Sequence, residues 1–246
     1  MFAKARQLLL GGLSALWGGS LLGGFVFGTA EKPGAARIPK PLALLSSATL
    51  VAAAWLIRSE KRRGPAADYS HQIAKGMTWG FLGDLAMTFS VPLGMVTFGL
   101  GHIEYVRGMW RLGKAEGLDS PLVRAGAWLT WLGIGVAGWY FVVHCGPKGD
   151  RPLAWVALPY TLLLASTAGM ATGLALQRAR YIPLAVGGAL FLLSDLVIAM
   201  RLFHPELFAQ IPDSLRGDLI WLTYGPAQAL IVSSALLASD EEPVSK

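Results

Sequence analysis

The chain has a single cysteine, Cys145. No disulfide can form within it, and no cysteine-based metal cluster can be built. Charge is scarce as well: 15% of the residues are Asp, Glu, Lys or Arg, against about 25% in soluble domains. No stretch between the apolar runs is long enough for a separate soluble domain. Common catalytic signatures are missing. There is no Gly-x-Ser-x-Gly for a serine hydrolase and no His-x-x-Glu-His for a zinc site. The glycine pairs at 11–12, 18–19 and 23–24 lack the Gly-Lys-Ser/Thr ending and the preceding strand of a phosphate loop. No long internal repeat or low-complexity segment is present. The net charge of +6 does not point to nucleic acid, because the basic residues sit in short loops at the ends of apolar runs.

What the chain has in quantity is apolar sequence. The hydrophobic fraction is 54% and the mean hydropathy +0.50. This is the pattern of an all-α, polytopic membrane helical bundle. Eight apolar segments stand out, at about 8–28, 40–57, 73–90, 93–112, 122–143, 153–175, 182–202 and 218–238. They predict about eight transmembrane helices in one membrane domain, residues 1–238, with a disordered tail at 239–246. The stretch 76–110 is too long for one span. Ser90-Val91-Pro92 supplies the break, since proline disfavours helix at the residue before it. The first segment resembles a signal peptide, but its apolar run exceeds the usual ~7–15 residues and reads as a retained span.

Fourteen of the Lys and Arg residues fall on the side of the N-terminus and seven on the other. That bias predicts both termini in the cytoplasm, in a bacterial inner (cell) membrane. The basic cluster Arg58, Lys61, Arg62 and Arg63 fits contact with anionic headgroups on that side. Small residues four apart, at Gly19 and Gly23, Gly76 and Gly80, and Gly169 and Gly173, predict close helix packing.

Two acids break the apolar pattern: Asp84 in the third segment and Asp195 in the seventh. A carboxylate near a bilayer centre costs about 2.5–3.5 kcal/mol on insertion scales. Such a residue marks either a functional site or a hydrogen bond to a neighbouring helix. Counting residues along each segment brings further polar groups to the same layer, from the midplane to the outer third. These are His102, Tyr224 and Gln228, with Tyr140 and Tyr160 in the outer part of their segments. His102 and Tyr105 are three apart and Tyr224 and Gln228 four apart, so each pair shares a helix face. Glu104 is expected to face away from His102.

Four motifs carry a resemblance. They are Gly80-x-x-Gly83-Asp84, Gly101-His102-x-x-Tyr105, Gly188-Ala189-x-Phe191-x-x-Ser194-Asp195 and Tyr224-x-x-Ala227-Gln228. In order and spacing they resemble the YhhN family, which contains the lysoplasmalogenases, eight-span membrane hydrolases. The resemblance implies cleavage of the vinyl-ether bond of a lysoplasmalogen, a lysophospholipid. The products would be a fatty aldehyde and glycerophosphoethanolamine or glycerophosphocholine. It makes Asp84 and Asp195 the catalytic candidates. His102, Tyr105, Tyr140, Tyr160, Ser194, Tyr224 and Gln228 are the candidates for binding substrate or orienting water. No cofactor is implied, and the expected partners are the lysolipid and membrane lipids.

Two carboxylates suit this chemistry. A vinyl ether is activated by protonation at its β-carbon, which gives an oxocarbenium ion. Water adds, and the hemiacetal collapses to aldehyde and alcohol. A carboxylic acid supplies the proton and a carboxylate faces the cation, as in glycosidases. The two groups titrate as a coupled pair, so neither is assigned as the acid. Rival readings stay open at this stage. His102 with both aspartates could hold a divalent ion. Intramembrane acids also serve proton-coupled carriers of lipids or small solutes, and the same scaffold could hydrolyse a different lipid.

Overall fold

The computed structural model describes residues 2–61, 63–148 and 151–238; the tail expected to be disordered, 239–246, lies outside them. No strand occurs among the described residues. Eight long helices are present among the described residues. α1 covers 2–27 with a π-helical stretch at Gly19–Gly23. α2 is Lys40–Glu60, α3 Pro65–Ala86 and α4 Val91–Ala115. α5 is Pro121–His144, its last turn π-helical from Trp139. α6 is Arg151–Gln177, α7 Ile182–Phe203 and α8 Leu219–Leu237. Two short helical turns, Pro205–Ala209 and Asp213–Arg216, lie between α7 and α8.

Prolines open many of these helices. Pro41, Pro65, Pro92, Pro121 and Pro183 stand in first turns, where a fixed φ favours the helix and the missing N–H has no partner to lose. The expected break near Pro92 is present: Ser90 is extended and Val91 begins α4. The preceding helix ends earlier than the apolar pattern suggests, at Ala86, because Met87, Thr88 and Phe89 form the turn.

Six of the eight helices, α1, α2, α5, α6, α7 and α8, are long and apolar enough to cross a membrane. The count of about eight is therefore approximate. α3 and α4 match the others in length but carry Gln72, Lys75 and Asp84, and His102, Glu104 and Arg107. Their polar residues largely turn inward: Gln72, His102 and Glu104 are buried.

Packing explains this. α2, α3, α4, α6, α7 and α8 form a closed ring, each against the next and α8 back against α2, while α1 lies outside on α2 and α5 outside on α6. Glycines let the α3–α4 and α6–α7 walls close. A Cβ on Gly76 would lie 2.3 Å from the Tyr105 ring, and one on Gly188 2.9 Å from the Ala168 Cα. The expected packing role holds at Gly76 and Gly169; a Cβ on Gly80 or Gly173 would make only ordinary contacts, at 3.4 and 3.5 Å, and no close packing is seen at Gly19 and Gly23. A Cβ at either of those meets nothing within 4 Å, because α1 packs on one side only.

The end of the bundle that carries the connection 28–39 is here the upper end. There the Asp218 carboxylate accepts hydrogen bonds from the backbone N–H groups of Arg37 (2.8 Å) and Ile38 (2.9 Å) and from Arg37 Nε (3.2 Å). This ties the α1–α2 connection to the start of α8. At the lower end the buried Glu116 carboxylate accepts from Tyr181, Arg178 and Arg180. That joins the α4–α5 and α6–α7 connections.

Candidate active site

Every helix of the ring contributes to one polar group in its upper half. α3 brings Asp84, α2 Ser47, and α8 Tyr224 and Gln228. Ser47 Oγ donates to Asp84 Oδ2 at 2.5 Å, and Tyr224 OH donates to the same oxygen at 3.1 Å. Gln228 Nε2 donates to the Tyr224 hydroxyl, and its Oε1 lies 3.2 Å from Ser47 Oγ. A Cβ on Gly80 would meet Gln228 Nε2 at 3.4 Å, an ordinary contact, while one on Gly83 would run into the Phe98 ring at 2.8 Å, so Gly83 lets α4 approach beside Asp84.

Across the ring, α6 and α7 bring a second pair. Tyr160 OH donates to Asp195 Oδ2 at 2.5 Å. The close α6–α7 contact at Gly188 sets these two helices at the distance a Tyr–Asp bond spans. Asp84 and Asp195 are both half-buried.

Aromatic rings fill the space between the pairs. Phe191 of α7 lies edge-on to Tyr224 at 5.1 Å and to His102 at 4.7 Å. Phe98 of α4 touches both Phe191 and Tyr224. His102 packs against Tyr160 at 6.1 Å. It is 1% exposed, and its Nδ1 lies 2.9 Å from Thr167 Oγ1 on α6.

Asp195 and Tyr160 also line a cavity of about 870 Å³ of empty space, part of it open to the outside. Its other walls are almost wholly apolar. Met95 and Phe98 come from α4, Ile134, Gly138 and Val143 from α5, and Leu192 and Leu202 from α7. α4 and α5 both pack on α6 without packing closely on each other, and the cavity occupies that gap. Ile134, 46% exposed, and Leu202, 37% exposed, face the cavity and the outer surface of the bundle at once. The cavity therefore opens sideways as well as toward the carboxylate.

The structure thus gathers Asp84, Asp195, His102, Tyr160, Tyr224 and Gln228. Asp84 stands in the last turn of α3. Its partners on α2 and α8 fix its level. Tyr105 shares the His102 face, with rings 5.9 Å apart, but its hydroxyl turns to Met77 Sδ at 4.0 Å. Two expected members do not join. Tyr140 is on α5, outside the ring, 47% exposed and stacked on His144. Ser194 is buried but points to α8, where its hydroxyl donates to the Ile220 carbonyl at 3.3 Å. Glu104 faces away from His102 as expected and binds Lys75 Nζ at 2.7 Å. Ser47, Thr167 and Phe98 are site residues that sequence reasoning missed.

A sequence model of the YhhN family matches residues 39–235. The chain belongs to the YhhN family. The match spans α2 to α8 and leaves out α1, the helix outside the ring that gives the site nothing. The resemblance carried by the Asp84, His102, Asp195 and Gln228 motifs is therefore shown over most of the chain, and it supports a lysoplasmalogenase-like membrane protein at family level. No curated protein and no solved structure matches the chain. The metal arrangement weighed from the sequence is not assembled in this YhhN protein. Among the described residues no three His, Cys, Asp or Glu side chains converge into a group that could hold a metal ion.

Proposed function

We propose that this YhhN protein hydrolyses the vinyl-ether bond of lysoplasmalogens within the membrane, through Asp84 and Asp195. One observation carries the reading. Two carboxylates, each held by a tyrosine hydroxyl from a neighbouring helix, share one ring of helices, and one of them borders an apolar cavity open to the side.

The chemistry follows from that arrangement. The hydrocarbon chain lies in the cavity, whose walls are almost wholly apolar, as sites for apolar ligands are. One aspartic acid gives its proton to the β-carbon of the vinyl ether, so that the positive charge develops on the adjoining carbon and oxygen. The other aspartate faces that charge in a low-dielectric interior, where fixed charges act strongly. Water adds to the cation and restores the proton to the acid. Collapse of the hemiacetal then releases fatty aldehyde and the glycerophospho alcohol. Ser47, Tyr224 and Gln228 hold Asp84, and Tyr160 holds Asp195. The upper end is the outer face and both termini are cytoplasmic, which places the site in the outer leaflet.

The test compares two lysolipids of equal chain and headgroup, one with a vinyl ether and one with an ester, on purified protein in vesicles. Aldehyde from the first and no fatty acid from the second is the expected result. Release from the ester alone would sink the vinyl-ether reading.

A further inference from the structure

His102 is a buried titratable group for which the two-aspartate chemistry has no use, and its hydrogen bonds can be counted. Thr167 Oγ1 lies 2.9 Å from His102 Nδ1 and 3.2 Å from the Leu163 carbonyl, one turn back along α6. A threonine hydroxyl has one hydrogen and two lone pairs. In a helix it commonly donates to the carbonyl four residues earlier. With that hydrogen on Leu163, the oxygen accepts from His102 Nδ1–H. The neutral imidazole then carries its lone pair on Nε2.

Nε2 is fully buried and has no hydrogen-bond partner among the described residues. Buried polar atoms almost always have one. The hydroxyls near it are engaged elsewhere: Tyr160 on Asp195, Tyr224 on Asp84, Tyr105 toward Met77 and Ser47 on Asp84. A donor for Nε2 must therefore come from outside the chain, and it must be small. With Nδ1 held by Thr167, Nε2 is turned away from that residue, and the His102 ring is enclosed by the rings of Tyr105, Tyr160 and Phe191.

We propose that His102 Nε2 accepts a hydrogen bond from the water molecule that adds to the activated lipid, and that Thr167 is the positioning residue that fixes the tautomer. The acceptor site stands on geometry alone; its use by the attacking water rests on the vinyl-ether reading above. By holding one hydrogen of the water, His102 points an oxygen lone pair at the oxocarbenium carbon. It takes no part in the proton transfer from the carboxyl group.

Nitrogen NMR of the whole protein, labelled with ¹⁵N-histidine in lipid nanodiscs, reads the tautomer without reference to activity. The expected spectrum has His102 protonated on Nδ1 and bare on Nε2, with cross-peaks from water to its ring. Thr167→Val should mix the tautomers and lower kcat with KM little changed. His102→Leu should lower kcat about a hundredfold, the scale of a misplaced reactant. His102→Gln, which keeps an acceptor oxygen, should recover part of it. A wild-type His102 protonated on Nε2 would overturn the proposal even in an active hydrolase. A bare, water-contacting Nε2 in a protein that leaves vinyl ethers intact would uphold the acceptor site and fail only the function reading.

Discussion

Replacing Tyr160 by phenylalanine removes one oxygen atom and one hydrogen bond, that from Tyr160 OH to Asp195 Oδ2 at 2.5 Å. It is the one hydrogen bond Asp195 makes among the described residues. The ring remains, with its edge contact to His102, so shape is conserved. A hydrogen bond to a charged group is worth about 1.5–3 kcal/mol. If that bond holds Asp195 in its working position, Tyr160→Phe lowers kcat/KM by about 10- to 150-fold. The assay is aldehyde release from a lysoplasmalogen in vesicles, with thermal unfolding in parallel. Tyr140→Phe is the matched control, since Tyr140 lies outside the ring, stacked on His144. It should work at the wild-type rate. Tyr160→Phe at wild-type rate with an unchanged fold, or equal losses in the two variants, would refute the reasoning.

Three further outcomes are expected. Gly188→Ala places a methyl 2.9 Å from the Ala168 Cα and should cost about 1–3 kcal/mol of stability, while Gly19→Ala, with nothing within 4 Å, should be neutral; thermal unfolding in detergent separates them. Gly138→Leu has room at its Cβ, 3.7 Å from Leu196 Cδ1, and fills part of the cavity. If it displaces about three methylenes of a bound chain at ~0.8 kcal/mol each, KM for a long-chain lysolipid rises roughly 50-fold, and a chain-length series would show short chains unaffected. Cys145 is the sole cysteine and is exposed. It should react with a membrane-impermeant maleimide added outside intact cells, and labelling only after lysis would reverse the proposed orientation.

Much of the site was legible because a polar group in an apolar run has few harmless explanations. Asp84, Asp195, His102, Tyr224 and Gln228 stood out for that reason, and the structure brings them together. Ser47 did not. A serine in a helix usually bonds its own backbone, as Ser46 does with the Ala43 carbonyl, and nothing in the sequence separates the two. Thr167 was hidden in the same way. Tyr140 and Ser194 stand apart from that cluster for a related reason. Counting residues gives depth along a helix, but whether a side chain faces the interior depends on the angle around the helix and on which helices form the ring. α5 lies outside that ring, and apolar content alone does not reveal it. The α3 boundary was misjudged because Met87-Thr88-Phe89 is as apolar as the helix it ends.

The central claim is that both aspartates are needed to open a vinyl ether. Its most direct test is aldehyde release from a lysoplasmalogen by purified wild-type protein, Asp84→Asn and Asp195→Asn, each confirmed folded by thermal unfolding. The account predicts release by wild type and its loss, by at least about a hundredfold, in both variants. Full activity in either variant would contradict it.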